Sequence, residues 1–63
     1  MITDRDKILD DLYDNARYYD CNGCEFTEED VDYVLKLQRE NGERYDDAIN
    51  MTLEGIDESL RLY

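Results

Sequence analysis

Histidine, tryptophan and proline are absent from this 63-residue chain, and cysteine (two), glycine (three) and phenylalanine (one) are scarce. Without histidine, every catalytic triad or general-base scheme built on imidazole is closed, and no serine or lysine stands in a nucleophile motif. The chain is also too short to build a substrate pocket of enzymatic size around a thin core. No catalytic residue and no cofactor are expected, and an enzyme is not the reading to pursue. There is no apolar run of membrane-spanning length and no signal-peptide pattern, so a soluble, cytoplasmic (intracellular) protein is expected.

Positive charge is scarce as well. Seven Lys and Arg stand against 18 Asp and Glu, a formal net charge of −11. Direct binding to nucleic acid or to an anionic membrane needs a basic footprint, which this chain lacks, whereas a basic protein partner is favoured. High charge often accompanies disorder. Here 41% of the residues are hydrophobic and recur at helical spacing, which points to a folded chain.

Tyr45, Ala48, Ile49, Thr52, Leu53, Ile56, Leu60 and Tyr63 recur at steps of three and four and share one face of a helix. Asp46, Asp47, Asn50, Glu54, Asp57, Glu58 and Arg61 fall on the other side. A first helix is expected over about 4–19, with Thr3 as N-cap and Ile8, Leu9, Leu12, Ala16 and Tyr19 facing inward. Asn22-Gly23 marks a turn. A second helix is expected over about 28–41. Thr27 is its N-cap, Asp30 stands at the capping-box position, Phe26 can staple onto Val31, and Asn41-Gly42 ends it. Val31, Val34, Leu35 and Gln38 form its inward stripe, with Tyr33 and Leu37 about a quarter-turn aside. The third helix is expected over about 44–62.

Short connections between amphipathic helices favour antiparallel neighbours, so residues 1–63 read as a single all-α domain, a small three-helix bundle. At this size the buried core is small and net stability low. A homodimer would relieve this. The residues left off the main stripes, Tyr33, Leu37, Met51 and Leu62, beside a row of small residues at Ala48, Thr52, Gly55 and Ser59, offer such a seam. The same seam suits a dimeric helical adaptor that recruits a partner helix.

Cys21-Asn22-Gly23-Cys24 is the one motif that resembles a chemical signature. Two thiolates on a turn can hold zinc or close a disulfide. A structural zinc site needs four ligands, so Cys21 and Cys24 would require Asp20 or Glu25 in addition, or a second chain sharing the site. Two partly buried thiols or a local disulfide is the simpler expectation. Calcium fails on spacing: counted from Asp20, glycine comes fourth and the twelfth residue is Val31, where an EF-hand loop needs glycine sixth and glutamate twelfth.

Glu28, Glu29, Asp30 and Asp32 suit the positive end of a helix dipole. Asp6, Asp10 and Asp14 do not fit that account. They are like charges at i, i+4 and i+8, each such pair costing about 0.2 to 0.5 kcal/mol, in a residue type that forms helix interiors poorly. On the third helix Glu43, Asp47, Glu54 and Glu58 form a second ridge with few bases among them. Carboxylates one helical turn apart are roughly 5 to 6 Å apart, close to the separation of successive phosphates along a strand. Asp6, Asp10, Asp11, Asp14 and Tyr18, with Asp47, Glu54 and Glu58, are therefore the candidate contacts to a basic, nucleic-acid-binding protein. In size, charge and lack of an active-site motif the chain resembles the small acidic inhibitors that phages and other mobile elements direct against restriction and CRISPR nucleases. That resemblance implies stoichiometric inhibition and gives no residue a role.

Overall fold

Three helices carry the fold: α1 (Arg5–Ala16), α2 (Glu28–Glu40) and α3 (Tyr45–Arg61). They belong to a computed structural model that describes residues 1–61, so Leu62 and Tyr63, expected at a seam and on an inward face, lie outside the described residues.

α1 is capped by Asp4, not by Thr3. The Asp4 carboxylate accepts the backbone N–H groups of Asp6 at 3.1 Å and Lys7 at 3.3 Å. A charged acceptor at the positive helix end outcompetes a neighbouring hydroxyl. The helix also stops at Ala16, short of Tyr19. There the chain tightens into turns, with Tyr18 N–H donating to the Asn15 carbonyl and Tyr19 N–H to that of Ala16. A carboxylate from α3 then holds the next backbone groups, a tertiary pull that local periodicity does not carry.

α2 begins as its sequence signals. Asp30 accepts the Thr27 N–H at 2.9 Å, and both Phe26 and Val31 belong to the core. Tyr13 fixes the approach: its hydroxyl accepts the Phe26 N–H at 3.0 Å and the two rings meet edge to face, 4.9 Å between centroids. At the far end Gly42 adopts φ +68°, and the Glu43 N–H reaches back to the Leu37 carbonyl at 3.1 Å, closing the helix on a left-handed glycine. Leu37 and Leu35 exchange the places expected of them. Leu37 is buried and Leu35 only half-buried: Leu37 stands one turn after Tyr33, which lines a groove with α3, whereas Leu35 stands three residues after Asp32, which pairs with Arg5 of α1.

Ile2 is tied to Gln38 and Tyr13 to Phe26, while Asp11 meets Tyr45 and Cys21 meets Asp57. α1 and α3 thus run in the same direction, side by side, with α2 opposed to both. Ile8, Leu12, Ala16, Val31, Val34, Ala48, Ile49 and Leu53 fill the space between them, closed at the ends by Cys21, Phe26 and Leu37. Each fully buried aliphatic side chain contributes about 1.5 to 3 kcal/mol, so a core of this size leaves each polar anchor around it a visible share of the stability. Among the described residues, no helix is long and apolar enough to cross a membrane.

Candidate partner-binding face

On α1, Asp6, Asp10 and Asp14 are all exposed. Asp14 stands 3.9 Å from the Arg17 guanidinium, both side chains largely in water; Asp6 and Asp10 enter no ion pair among the described residues. Asp10 and Asp14 point away from the core. Asp6, two turns before Tyr13, stands on the flank nearer α2, so the three do not form one straight ridge.

Asp11 has a different place. It accepts from Lys7 Nζ at 2.8 Å and from the Tyr45 hydroxyl, in the seam between α1 and α3. Burial works against its charged form, yet the bonds from Lys7 and Tyr45 and the lysine's charge outweigh it and hold the carboxyl below its usual range. The Tyr45 phenol is pushed up, first by burial and then by Asp11. The expected contact Asp11 is thus already engaged inside the fold, at a shallow hollow of about 210 Å³ shared with Asn15, Tyr45, Asp46, Ile49 and Asn50. Tyr18 is 76% exposed, beyond the end of α1, with the Arg17 guanidinium 5.6 Å from its ring.

On α3, Asp47, Glu54 and Glu58 are exposed and share the outer side, none in an ion pair among the described residues. Asp57 departs from the expected pattern. It is 7% exposed, and its carboxylate accepts the Cys21 N–H at 2.8 Å and the Asp20 N–H at 3.2 Å. The one legible signal was its spacing of four from the core residue Leu53. Next to it lies an open depression of about 370 Å³, lined by Tyr19, Glu54, Asp57, Glu58 and Arg61. Tyr19 donates to Asn50 at 3.2 Å, and its phenol is pushed up by burial and then by the charges of Glu54 and Asp57. Arg61 is turned toward Asp20 at 3.3 Å.

The exposed acids therefore do not share one groove: Asp10 and Asp14 point outward from α1, Glu54 and Glu58 border the depression beside Asp57 on α3, and Tyr18 lies beyond the end of α1. The bases near them are each turned to an acid: Lys7 to Asp11, Arg17 to Asp14, Arg61 to Asp20. Lys36, Arg39 and Arg44, on α2 and its exit, enter no ion pair among the described residues.

The apolar alternative loses a member, since Leu37 is buried in the core. Tyr33 and Met51 remain exposed, and Leu60, expected on the inward face of the third helix, is exposed as well, near the end of α3. A groove of about 330 Å³ lies between α2 and α3, bordered by Asp30, Tyr33, Thr52, Gly55, Ile56, Ser59 and Leu60. Both cysteines are free thiols, Cys21 fully buried and Cys24 half-buried. Asp20 and Glu25, the supplementary zinc ligands considered above, are exposed, and among the described residues no group of three or more acidic or cysteine side chains is arranged to hold a metal ion. Compared with protein families, curated proteins and solved structures, the chain matches none.

Proposed function

We propose that this protein is a stoichiometric inhibitor that presents carboxylates to the phosphate-gripping groove of a basic, nucleic-acid-binding protein. One observation carries the reading: the acids divide into two sets. Asp4, Asp11, Asp30 and Asp57 cap helices, pair with a base or hold backbone groups. Asp10, Glu54 and Glu58 do none of these things among the described residues and stand in water, with Asp14 only loosely paired; Asp6 and Asp47 are exposed too, in the first turns of α1 and α3, where the helix dipole favours them. Like charges repeated at one-turn spacing weaken a helix, so a second use for them is the economical explanation. Their field draws a positively charged groove from a distance and accelerates association. Tyr18 adds an exposed aromatic anchor of the kind that concentrates binding energy. The resemblance to phage inhibitors makes nucleic-acid-directed defence enzymes, restriction or CRISPR nucleases, the target class.

A second reading rests on the α2–α3 groove, where Tyr33, Gly55, Ile56 and Leu60 present an apolar surface that suits an adaptor binding a partner helix. The test is capture of partners on the immobilised protein, eluted by a salt gradient and challenged with DNA and RNA. A nucleic-acid-binding protein released by both salt and nucleic acid supports the inhibitor. A partner held through high salt and indifferent to nucleic acid overturns it in favour of the groove.

A further inference from the structure

The exposed acids leave one chemical pair without a part, Cys21 and Cys24. They occupy the first and fourth positions of a turn closed by the Cys24 N–H donating to the Cys21 carbonyl at 3.0 Å, with Gly23 in the third position at φ 94°. A turn of this kind keeps its end Cα atoms within about 7 Å. A disulfide spans Cα atoms about 4.4 to 6.8 Å apart. The turn thus holds the two Cα atoms close to the span of a bridge, and both thiols are free.

Their surroundings are unequal. Cys21 has no exposed surface, lies in the core, and has its backbone N–H held by Asp57. Cys24 is half-buried at the protein surface. We infer that the two form a redox pair in which Cys24 exchanges with low-molecular-weight disulfides of the glutathione type and Cys21 is the resolving thiol that closes an intramolecular disulfide. In the first step Cys24 loses its proton to water, and its sulfur attacks one sulfur of the small disulfide. A mixed disulfide forms, the small disulfide's S–S bond breaks, and one small thiolate leaves and takes up a proton. In the second step Cys21 loses its proton and attacks the Cys24 sulfur, which expels the second small thiol. Two protein thiols are oxidised to one disulfide, and one small disulfide is reduced to two thiols.

The order of attack follows from burial. The Cys21 thiol is pushed from its ordinary 9.0 up to about 12, first by burial and then by the Asp57 carboxylate beside it. A shift of that size lowers the thiolate fraction at neutral pH by about a thousandfold, and the greater nucleophilicity of a more basic thiolate recovers about half of this on a logarithmic scale. Direct attack by Cys21 is thereby slowed about thirtyfold before its enclosure is counted. Once Cys24 carries the mixed disulfide, the target sulfur is one turn away, and proximity offsets that handicap.

The experiment treats the folded protein with glutathione disulfide, quenches with an alkylating agent and reads masses over time. The parent is expected to lose two thiols together and become lighter by two hydrogens, with little mixed disulfide. Cys21→Ser is expected to stop at a single glutathione adduct on Cys24, formed at the rate at which the parent loses its thiols. Cys24→Ser, left with only the enclosed Cys21 thiol, is expected to react more slowly than the parent by about tenfold or more. Reaction of Cys24→Ser at the parent's rate overturns the proposal, as does a parent that accumulates an adduct without closing the ring or links two chains instead. Should the buried Cys21→Ser fail to fold, Cys21→Ala takes its place, and Cys24→Ser, altered at a half-buried position, decides the order of attack by itself.

Discussion

The Asp57 carboxylate accepts the backbone N–H of Cys21 at 2.8 Å, and that of Asp20 at 3.2 Å, from 36 and 37 residues away. This side chain on α3 does for the loop after α1 what a capping residue does for a helix. It accepts from backbone donors of that loop, which no helix supplies with a partner. It also anchors the Cys21–Cys24 turn to α3, so the redox pair and the acidic depression share a wall.

Asp57→Ala removes both acceptors at once and leaves the buried Cys21 N–H and the part-buried Asp20 N–H unmatched. The expected cost is about 2 to 3 kcal/mol, which in a domain of this size lowers the thermal midpoint by roughly 10 to 20 °C. Asp57→Asn keeps one oxygen and is expected to fall between alanine and the parent. Thermal unfolding of the three proteins orders them. Equal midpoints for alanine and parent would show that the loop is held by other contacts.

Gln38 holds the N-terminal segment in a similar way. Its amide accepts the Ile2 N–H and donates to the Ile2 carbonyl, both at 2.9 Å. Gln38→Ala is expected to cost about 1 to 2 kcal/mol and to hasten amide exchange in the first residues without altering the helix ends. Hydrogen exchange read by mass spectrometry on an N-terminal peptide checks this, and unchanged exchange there would refute it.

The contact between Tyr45 and Asp11 makes stability depend on pH at both extremes. Asp11 is held below its usual range, so its contribution is present above the unfolded carboxylate value of about 3.9 and is lost as pH falls through the lower folded value. Tyr45 is raised, so its contribution is complete below the unfolded phenol value of about 10 and is lost as pH rises through the higher folded value. Tyr45→Phe is expected to cost about 1 kcal/mol at neutral pH. The gap between variant and parent should narrow in strong acid and again in strong alkali. Thermal melts across the pH range test this, and a constant gap would mean that the contact contributes nothing.

The architecture was legible wherever the signal was local. Thr27, Asp30 and Phe26 announce the start of α2, and Gly42 its end, because capping and left-handed turns are decided within a few residues. The three-helix bundle follows from the spacing of Ile8, Leu12, Val31, Val34, Ile49 and Leu53. Asp57 was not legible as a buried anchor. Its role depends on N–H groups far away in sequence, and helical counting alone sets it among acids. Leu37 was misplaced for a related reason: a residue a quarter-turn off the stripe is buried only if the neighbouring helix is long enough to cover it, as α3 is. At the candidate face, the exposure of Asp10, Asp14, Asp47, Glu54 and Glu58 could be read from periodicity. The engagement of Asp11 by Lys7 and Tyr45 could not, since Tyr45 comes from another helix.

Asp10 and Asp14 separate stability from binding. They stand one turn apart, exposed, on a helix with no base in its last turn, and their repulsion costs about 0.2 to 0.5 kcal/mol. Asp10→Asn with Asp14→Asn is therefore expected to leave the protein as stable as the parent or slightly more so. Any gain should appear at low salt and fade at high salt, where exposed charges are screened; the surface pair from Asp14 to Arg17 contributes too little to reverse the sign. If these carboxylates stand in for phosphates, the same double variant binds its basic target more weakly and shows a flatter dependence of affinity on salt. Stability unchanged or improved while affinity falls is the signature of residues retained for a partner. Affinity equal to the parent's at every salt concentration would remove α1 from the interface and leave Asp47, Glu54 and Glu58 as the remaining acidic contacts.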